Sequence, residues 1–283
     1  MSEVPDDTRQ WRGDVTLIGG SAEGLLARVS EVWHSRGVLG FLVWRDLKVK
    51  YRQTLLGVLW AVLQPVLMMT LFGIFFGRLA KMPSDGVPYP LFAFAGLLPW
   101  TFVANAVTDS GNSLVTNPDL ITKVYLPRIC IPLAAVIAGL VDFAIGLGVL
   151  GVLMMWFGQG VSFRVFALLP LAVLMTMVAM GVGTWMSALN VKYRDVRYAL
   201  PFLIQLWLFA TPVIYPTTLV PARWRPVLLI NPLAGIVDGF RSALLGTPFD
   251  GHAIIASIIG TVVLLAMALW YFVRVEQSFA DVV

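Results

Sequence analysis

Apolar residues fill six stretches of this chain, at about 55–79, 89–110, 130–157, 165–189, 198–215 and 253–273. Most match the roughly 20 residues that an α-helix needs to cross the ~30 Å hydrocarbon core of a bilayer. The pattern predicts an all-α integral membrane protein with six transmembrane helices. Two of the stretches are interrupted. The second contains Pro99 and fades into Asn105, Thr108 and Asp109, and the fifth is short and begins at Pro201. Both are admissible, because a span tolerates Pro and polar groups where neighbouring helices supply partners.

The polar segments between them carry their own patterns. Before the first span, Trp44, Leu47 and Tyr51 share one helical face, and Arg45, Lys48 and Arg52 share the adjacent one. Residues 37–54 therefore read as an amphipathic helix in the headgroup layer. In the loop 115–128, Asn117 suits a cap, Pro118 a first helical position and Pro127 a stop, which predicts a short helix. The segment 216–252 is too long for a turn. Within it, Asn231 caps and Pro232 starts a helix that Gly246 ends, with Leu233, Ile236, Val237, Phe240 and Leu244 as its apolar stripe. Residues Pro221 to Ile230 suggest a second short helix. The pair fits either a re-entrant hairpin dipping into the outer leaflet or a loop lying on the outer surface.

Composition agrees with the spans. The 283 residues are 58% hydrophobic and 13% charged, against roughly 25% charged in soluble domains. The Lys and Arg residues sort by loop: with the N-terminus inside, fourteen of the 20 fall on the inner side. That asymmetry places both termini in the cytoplasm. A net charge of +4 without a single basic patch gives no reason to expect nucleic acid. Residues 1–36 are polar and mixed in charge, unlike a cleavable signal, and read as a cytoplasmic tail. Residues 274–283 form a second one. Cys130 is the only cysteine, so no intramolecular disulfide forms.

Little in the chain suggests catalysis. Gly146-Leu147-Gly148-Val149-Leu150-Gly151 matches a dinucleotide fingerprint in letters, but it lies inside an apolar span with no strand before it and no acid at the expected distance. Close helix packing explains it better, as it does Gly73 and Gly77. No phosphate-binding P-loop is present, and His34 and His252 are far apart, so neither nucleotide hydrolysis nor a metal site is expected of this chain. Asp142 is an acid deep in a span, where a carboxylate costs roughly 2.5–3.5 kcal/mol on insertion scales. It reads either as a polar point in a conduit or as a hydrogen bond between helices. Aromatic residues are abundant. They suit the membrane interfaces, and some are candidates to line a pathway.

Several ordered motifs resemble one family. They are Arg45-Asp46-Leu47-Lys48, Lys50-Tyr51-Arg52-Gln53, Leu56-Gly57, Trp60 and Pro65, then Gly96-Leu97-Leu98-Pro99-Trp100. The loop from Asn117 to Arg128 and Asp142-Phe143 follow, then Ala188-Leu189-Asn190-Val191, Tyr193-Arg194-Asp195-Val196, Pro212-Val213-Ile214-Tyr215-Pro216 and Asn231-Pro232. Together they resemble the ABC-2 type permeases that export bacterial O-antigen, capsule and teichoic acid. The resemblance implies a transmembrane domain over 55–273, working as a homodimer in the inner membrane. It implies two partner ATPase subunits that hold ATP and Mg, with no cofactor in this chain. The substrate would be a polyprenyl-diphosphate-linked glycan passing between the two copies. It further implies a coupling helix at Asn117, Asp119, Leu120, Ile121, Lys123, Val124 and Tyr125. An outer gate would lie at 217–246, with Pro221, Asn231, Pro232, Phe240 and Arg241. Arg45, Lys48, Arg52, Lys192 and Arg194 are candidates to attract the diphosphate, or serve topology alone. Trp100, Phe102, Asp142, Trp207, Phe209 and Tyr215 are candidates to line the channel. An ABC-2 exporter of a lipid or drug and an ion-coupled transporter are the competing readings.

Overall fold

A computed structural model describes residues 30, 32–52, 57, 59–123, 126–160 and 162–276. The described residues are helical, with no strand among them. In chain order the helices are α1 (Arg36–Arg52), α2 (Leu59–Phe72), α3 (Tyr89–Thr116), α4 (Pro118–Lys123), α5 (Cys130–Trp156), α6 (Leu168–Lys192), α7 (Val196–Ala210), α8 (Arg225–Leu228), α9 (Pro232–Leu245) and α10 (Gly251–Glu276). A π-helical turn, Gly73–Leu79, extends α2, and a 3₁₀ turn, Phe163–Ala167, leads into α6.

Among the described residues, five helical segments are long and apolar enough to cross a membrane: Leu59–Leu79, Tyr89–Thr116, Cys130–Trp156, Phe163–Lys192 and Gly251–Glu276. The stretch 198–215 is not one helix. α7 has 15 residues, which rise about 22 Å. It stops because Thr211 precedes Pro212, and a residue before proline is pushed out of the helical region. Thr211 is accordingly extended, at φ −106° and ψ 136°.

α3 is the central element and outruns its expected end near 110. Several of its polar side chains bond to its own backbone. Thr108 Oγ1 donates to the Ala104 carbonyl (2.7 Å), Asn112 Nδ2 to that of Thr108 (2.9 Å) and Ser113 Oγ to that of Ser110 (2.7 Å). Polarity paired in this way does not end a span. Asn117 closes this helix as well as preceding the next: its amide donates to the Ser113 carbonyl at 2.8 Å, and its own carbonyl accepts from the Leu120 N–H at 3.2 Å. α3 packs on α2, α5, α6 and α9. Small residues allow the approach. A Cβ at Gly96 would lie 2.5 Å from Arg241 Nη2 and 2.9 Å from the Val213 carbonyl oxygen, and one at Gly183 would lie 2.6 Å from Ser110 Oγ. In the 146–151 string, Gly146 meets Leu98, while Gly148 and Gly151 face open space. Gly77 rests against the Tyr89 ring of the same chain.

α9 follows its sequence pattern closely. The Asn231 side chain accepts from the Leu233 N–H (3.1 Å), Pro232 opens the helix, and Gly246 ends it in the left-handed region at φ 80°. All five stripe residues are buried, and so is every residue of α9 except Asp238. α9 is packed among α3, α6 and α10, so it does not lie on the surface. The segment Pro221 to Ile230 holds only the four-residue α8, which is exposed.

The two core clusters divide the bundle lengthwise. The larger runs through α3 to α9. The smaller sits at the end carrying Lys192, Arg194 and Arg197, called the basic end below. It joins Leu42, Leu114, Cys130, Ala134, Ala188, Val191 and Phe272 from five helices.

Gly96→Ala is expected to destabilise the protein by about 1–3 kcal/mol, the usual range for overpacking, whereas Gly148→Ala leaves it unchanged. Thermal unfolding of both variants in detergent checks the contrast.

Candidate functional site

α1 follows α5 instead of lying across the end of the bundle. Leu42, 2% exposed, packs in the cluster with Ile129, Cys130 and Ala134 of the α5 start. Two turns further on, Lys50 reaches α5 again, with Nζ 2.5 Å from Asp142 Oδ2. The same ammonium lies 3.8 Å from Asp109 Oδ2 on α3. Tyr51 Oη donates to the other Asp142 oxygen. Burial, and then this carboxylate, push the Tyr51 phenol well above its ordinary range.

Asp142 is therefore held by α1 through both of its oxygens. Its partners lie 92 and 91 residues earlier, so no local pattern announced them. The reading of the basic face singled out Arg45, Lys48 and Arg52 and passed over Lys50. Of those three, Arg45 is paired with its neighbour Asp46 at 2.7 Å, and Lys48 and Arg52 are exposed. At the α6–α7 turn, Lys192 and Arg194 are also exposed, with Lys192 Nζ 5.2 Å from the Tyr193 ring centroid.

A cavity of about 230 Å³ opens beside the pair, where α1, α2, α3 and α5 meet. Trp60, Pro65, Leu98, Phe102 and Phe143 give it apolar walls, and Gln64, Thr101 and Asn105 face it together with Lys50, Tyr51 and Asp142. Among the described residues no cluster has the makings of a metal site.

A second joint lies around the turn after α7. Arg241 of α9, counted from sequence among outer-loop charges, is 3% exposed. Its two terminal nitrogens are met by carbonyls: Nη1 donates to Pro212 (2.6 Å) and Tyr215 (3.4 Å), and Nη2 to Val213, while Nε has no partner among the described residues. Its Cζ stands 3.8 Å from the Phe92 ring centroid. A weakly hydrated planar cation suits that burial. Tyr89 Oη donates to the Ile214 carbonyl in the same turn (2.9 Å). Asn231 completes the joint, accepting from Trp207 Nε1 (3.1 Å) and donating to Thr211 Oγ1 (2.8 Å). Trp207 packs edge-on against Trp100, centroids 5.7 Å apart.

The remaining candidates scatter. Trp100 and Phe102 are buried inside the subunit, Phe209 is 60% exposed, and Tyr215 is half-buried. Phe240 is buried against Phe143, Pro232 is buried, and Pro221 is exposed. In α4, Asp119 is exposed and Leu120 packs on the basic-end cluster. The side chains of Ile121 and Lys123, and residues Val124 and Tyr125 entirely, lie outside the described residues. Just beyond them, Arg128 Nη1 donates to the Glu276 carbonyl at 2.5 Å, which ties the loop to the end of α10.

The profile of the ABC-2 type transporter family matches residues 38–245, a span that contains both joints and the cavity. The O-antigen export system permease protein RfbA of Myxococcus xanthus is 32% identical over 91% of this chain and 99% of its own length. RfbA of Klebsiella pneumoniae is 26% identical over 84% and 92%, and the polysialic acid transport protein KpsM of Escherichia coli is 25% identical over 71% and 78%.

Lys50→Met leaves Asp142 and Asp109 without their cation. It is expected to lower the melting temperature in detergent by several degrees, and adding Asp142→Asn is expected to recover most of the loss. Equal melting of the single and double variants would show that the pair does not hold α1.

Proposed function

The chain belongs to the ABC-2 type transporter family, and from that premise we propose that it is the membrane subunit of an ATP-driven exporter of a lipid-linked polysaccharide. The observation that carries this reading is near end-to-end similarity to a protein named as an O-antigen export permease. The chain holds no P-loop, so ATP and Mg belong to a separate ATPase subunit, taken up in two copies by a homodimer of this chain. α4 is the contact to that ATPase. Its seat supports the assignment: Leu120 rests on the cluster where α1, α3, α5, α6 and α10 converge, so displacement of α4 bears on all of them.

The basic end faces the cytoplasm of a bacterial inner membrane, in line with the Lys and Arg excess there. Both termini lie on that side. α7 and the turn that follows it form the sixth crossing, and the α8–α9 segment forms a re-entrant hairpin at the outer side. α2 with its π-helical extension and α7 carry large exposed apolar residues, including Leu67, Leu71 and Phe75 on one and Phe202, Leu206 and Phe209 on the other. These faces meet lipid and the second copy, and the path for a polyprenyl-diphosphate-linked glycan runs between the two. Lys48, Arg52, Lys192 and Arg194, exposed on the cytoplasmic side, attract the diphosphate.

Deletion of the gene in its host tests the reading. Intact lipid-linked polymer is expected to accumulate inside the cytoplasmic membrane while surface glycan disappears. Normal surface glycan in the deletion strain would contradict it.

A further inference from the structure

The five candidate spans contain four carboxamide side chains. Two are spent on the protein itself: Asn112 donates to the Thr108 carbonyl, and Asn190 to that of Gly111 at 2.9 Å. The other two, Gln64 of α2 and Asn105 of α3, form no hydrogen bond among the described residues. Both face the same cavity, and the Thr101 hydroxyl there is equally unengaged. Gln64 is exposed at the rim and Thr101 and Asn105 are half-buried, so all three are open to a polar occupant of the cavity.

The cavity itself narrows the ligand. Its volume, about 230 Å³, lies below the roughly 300–1,000 Å³ of sites for drug-sized molecules. An acyl or prenyl chain would leave both amides unanswered. The fixed charges at its edge are one cation and two carboxylates, Lys50 between Asp142 and Asp109, which disfavours a phosphate or diphosphate. A neutral ring bearing several hydroxyls meets every condition. Its hydroxyls can donate to the Gln64 and Asn105 carbonyls and to the free lone pairs of Asp142, and accept from the two amides. Its apolar face can lie on Trp60, which is 50% exposed at the cavity.

We propose that this cavity is a binding site for one neutral sugar unit, formed within each subunit by Gln64, Thr101, Asn105 and Asp142. The proposal deepens the export reading and rests on it for the source of the sugar. It separates two tasks: the exposed cations of the basic end take the diphosphate, and this cavity takes a residue of the glycan.

The test uses the full-length protein in lipid nanodiscs and a panel of methyl glycosides of neutral hexoses, deoxyhexoses and N-acetylhexosamines, read by saturation-transfer NMR. At least one glycoside is expected to bind, inorganic diphosphate is expected not to displace it, and Gln64→Leu and Asn105→Leu are each expected to weaken it about tenfold. If Asn105→Leu fails to fold, Gln64→Leu at the exposed rim decides the matter. Binding of no glycoside, binding unchanged in the folded variants, or displacement by diphosphate overturns the proposal. Unchanged binding alongside loss of surface glycan on gene deletion would sink the pocket and leave the export reading standing. Weakened binding alongside normal surface glycan would do the reverse.

Discussion

A carboxylate halfway along an apolar helix has to be answered, and in this protein α1 answers it. Lys50 and Tyr51 engage both oxygens of Asp142, and Lys50 also faces Asp109 of α3. These contacts draw the end of α1 alongside α5 and bring the start of α2 over the same spot. The cavity exists because of that convergence: α1 supplies its charged edge, α2 its rim, α3 and α5 its floor. An unpaired Asp142 would be driven toward water, and the junction would lose the group that organises it.

α3 connects this junction to the rest. Near its middle, Thr101 and Asn105 face the cavity, and toward its start Phe92 and Gly96 receive Arg241. Its last turns join the basic-end cluster through Leu114. One largely buried helix thus touches the seat of α4, the cavity and the joint after α7. Both joints obey the same rule, in that a charge within the bundle is met by fixed partners. At one joint a carboxylate is met by an ammonium and a phenol, and at the other a guanidinium by carbonyls and a ring face.

Features written in neighbouring residues were legible in the sequence. Five long apolar runs became helices of membrane-crossing length, and α9 starts and stops where Asn231, Pro232 and Gly246 indicate. The ordered motifs identified the family. Features decided by distant residues were not legible. Asn105, Thr108 and Asp109 looked like the decay of a span, but Thr108 bonds back to the helix backbone and Asp109 faces Lys50 of α1. Arg241 looked like a loop charge because nothing local shows that the turn at 212–215 folds over it. Lys50 sat unremarked among other basic residues, since only the packing of α1 on α5 sets it apart. The break at Ala210 was present in the Thr211-Pro212 pair, but the apolar run through Tyr215 masked it.

Transport itself tests the account most directly. The chain would be reconstituted with its ATPase subunit in vesicles loaded on the ATPase side with lipid-linked glycan, and polymer reaching the opposite leaflet would be measured. The account predicts movement that needs hydrolysable ATP and is absent with the chain alone. Movement driven by an ion gradient without the ATPase, or glycan that stays in place while ATP is hydrolysed, would contradict it.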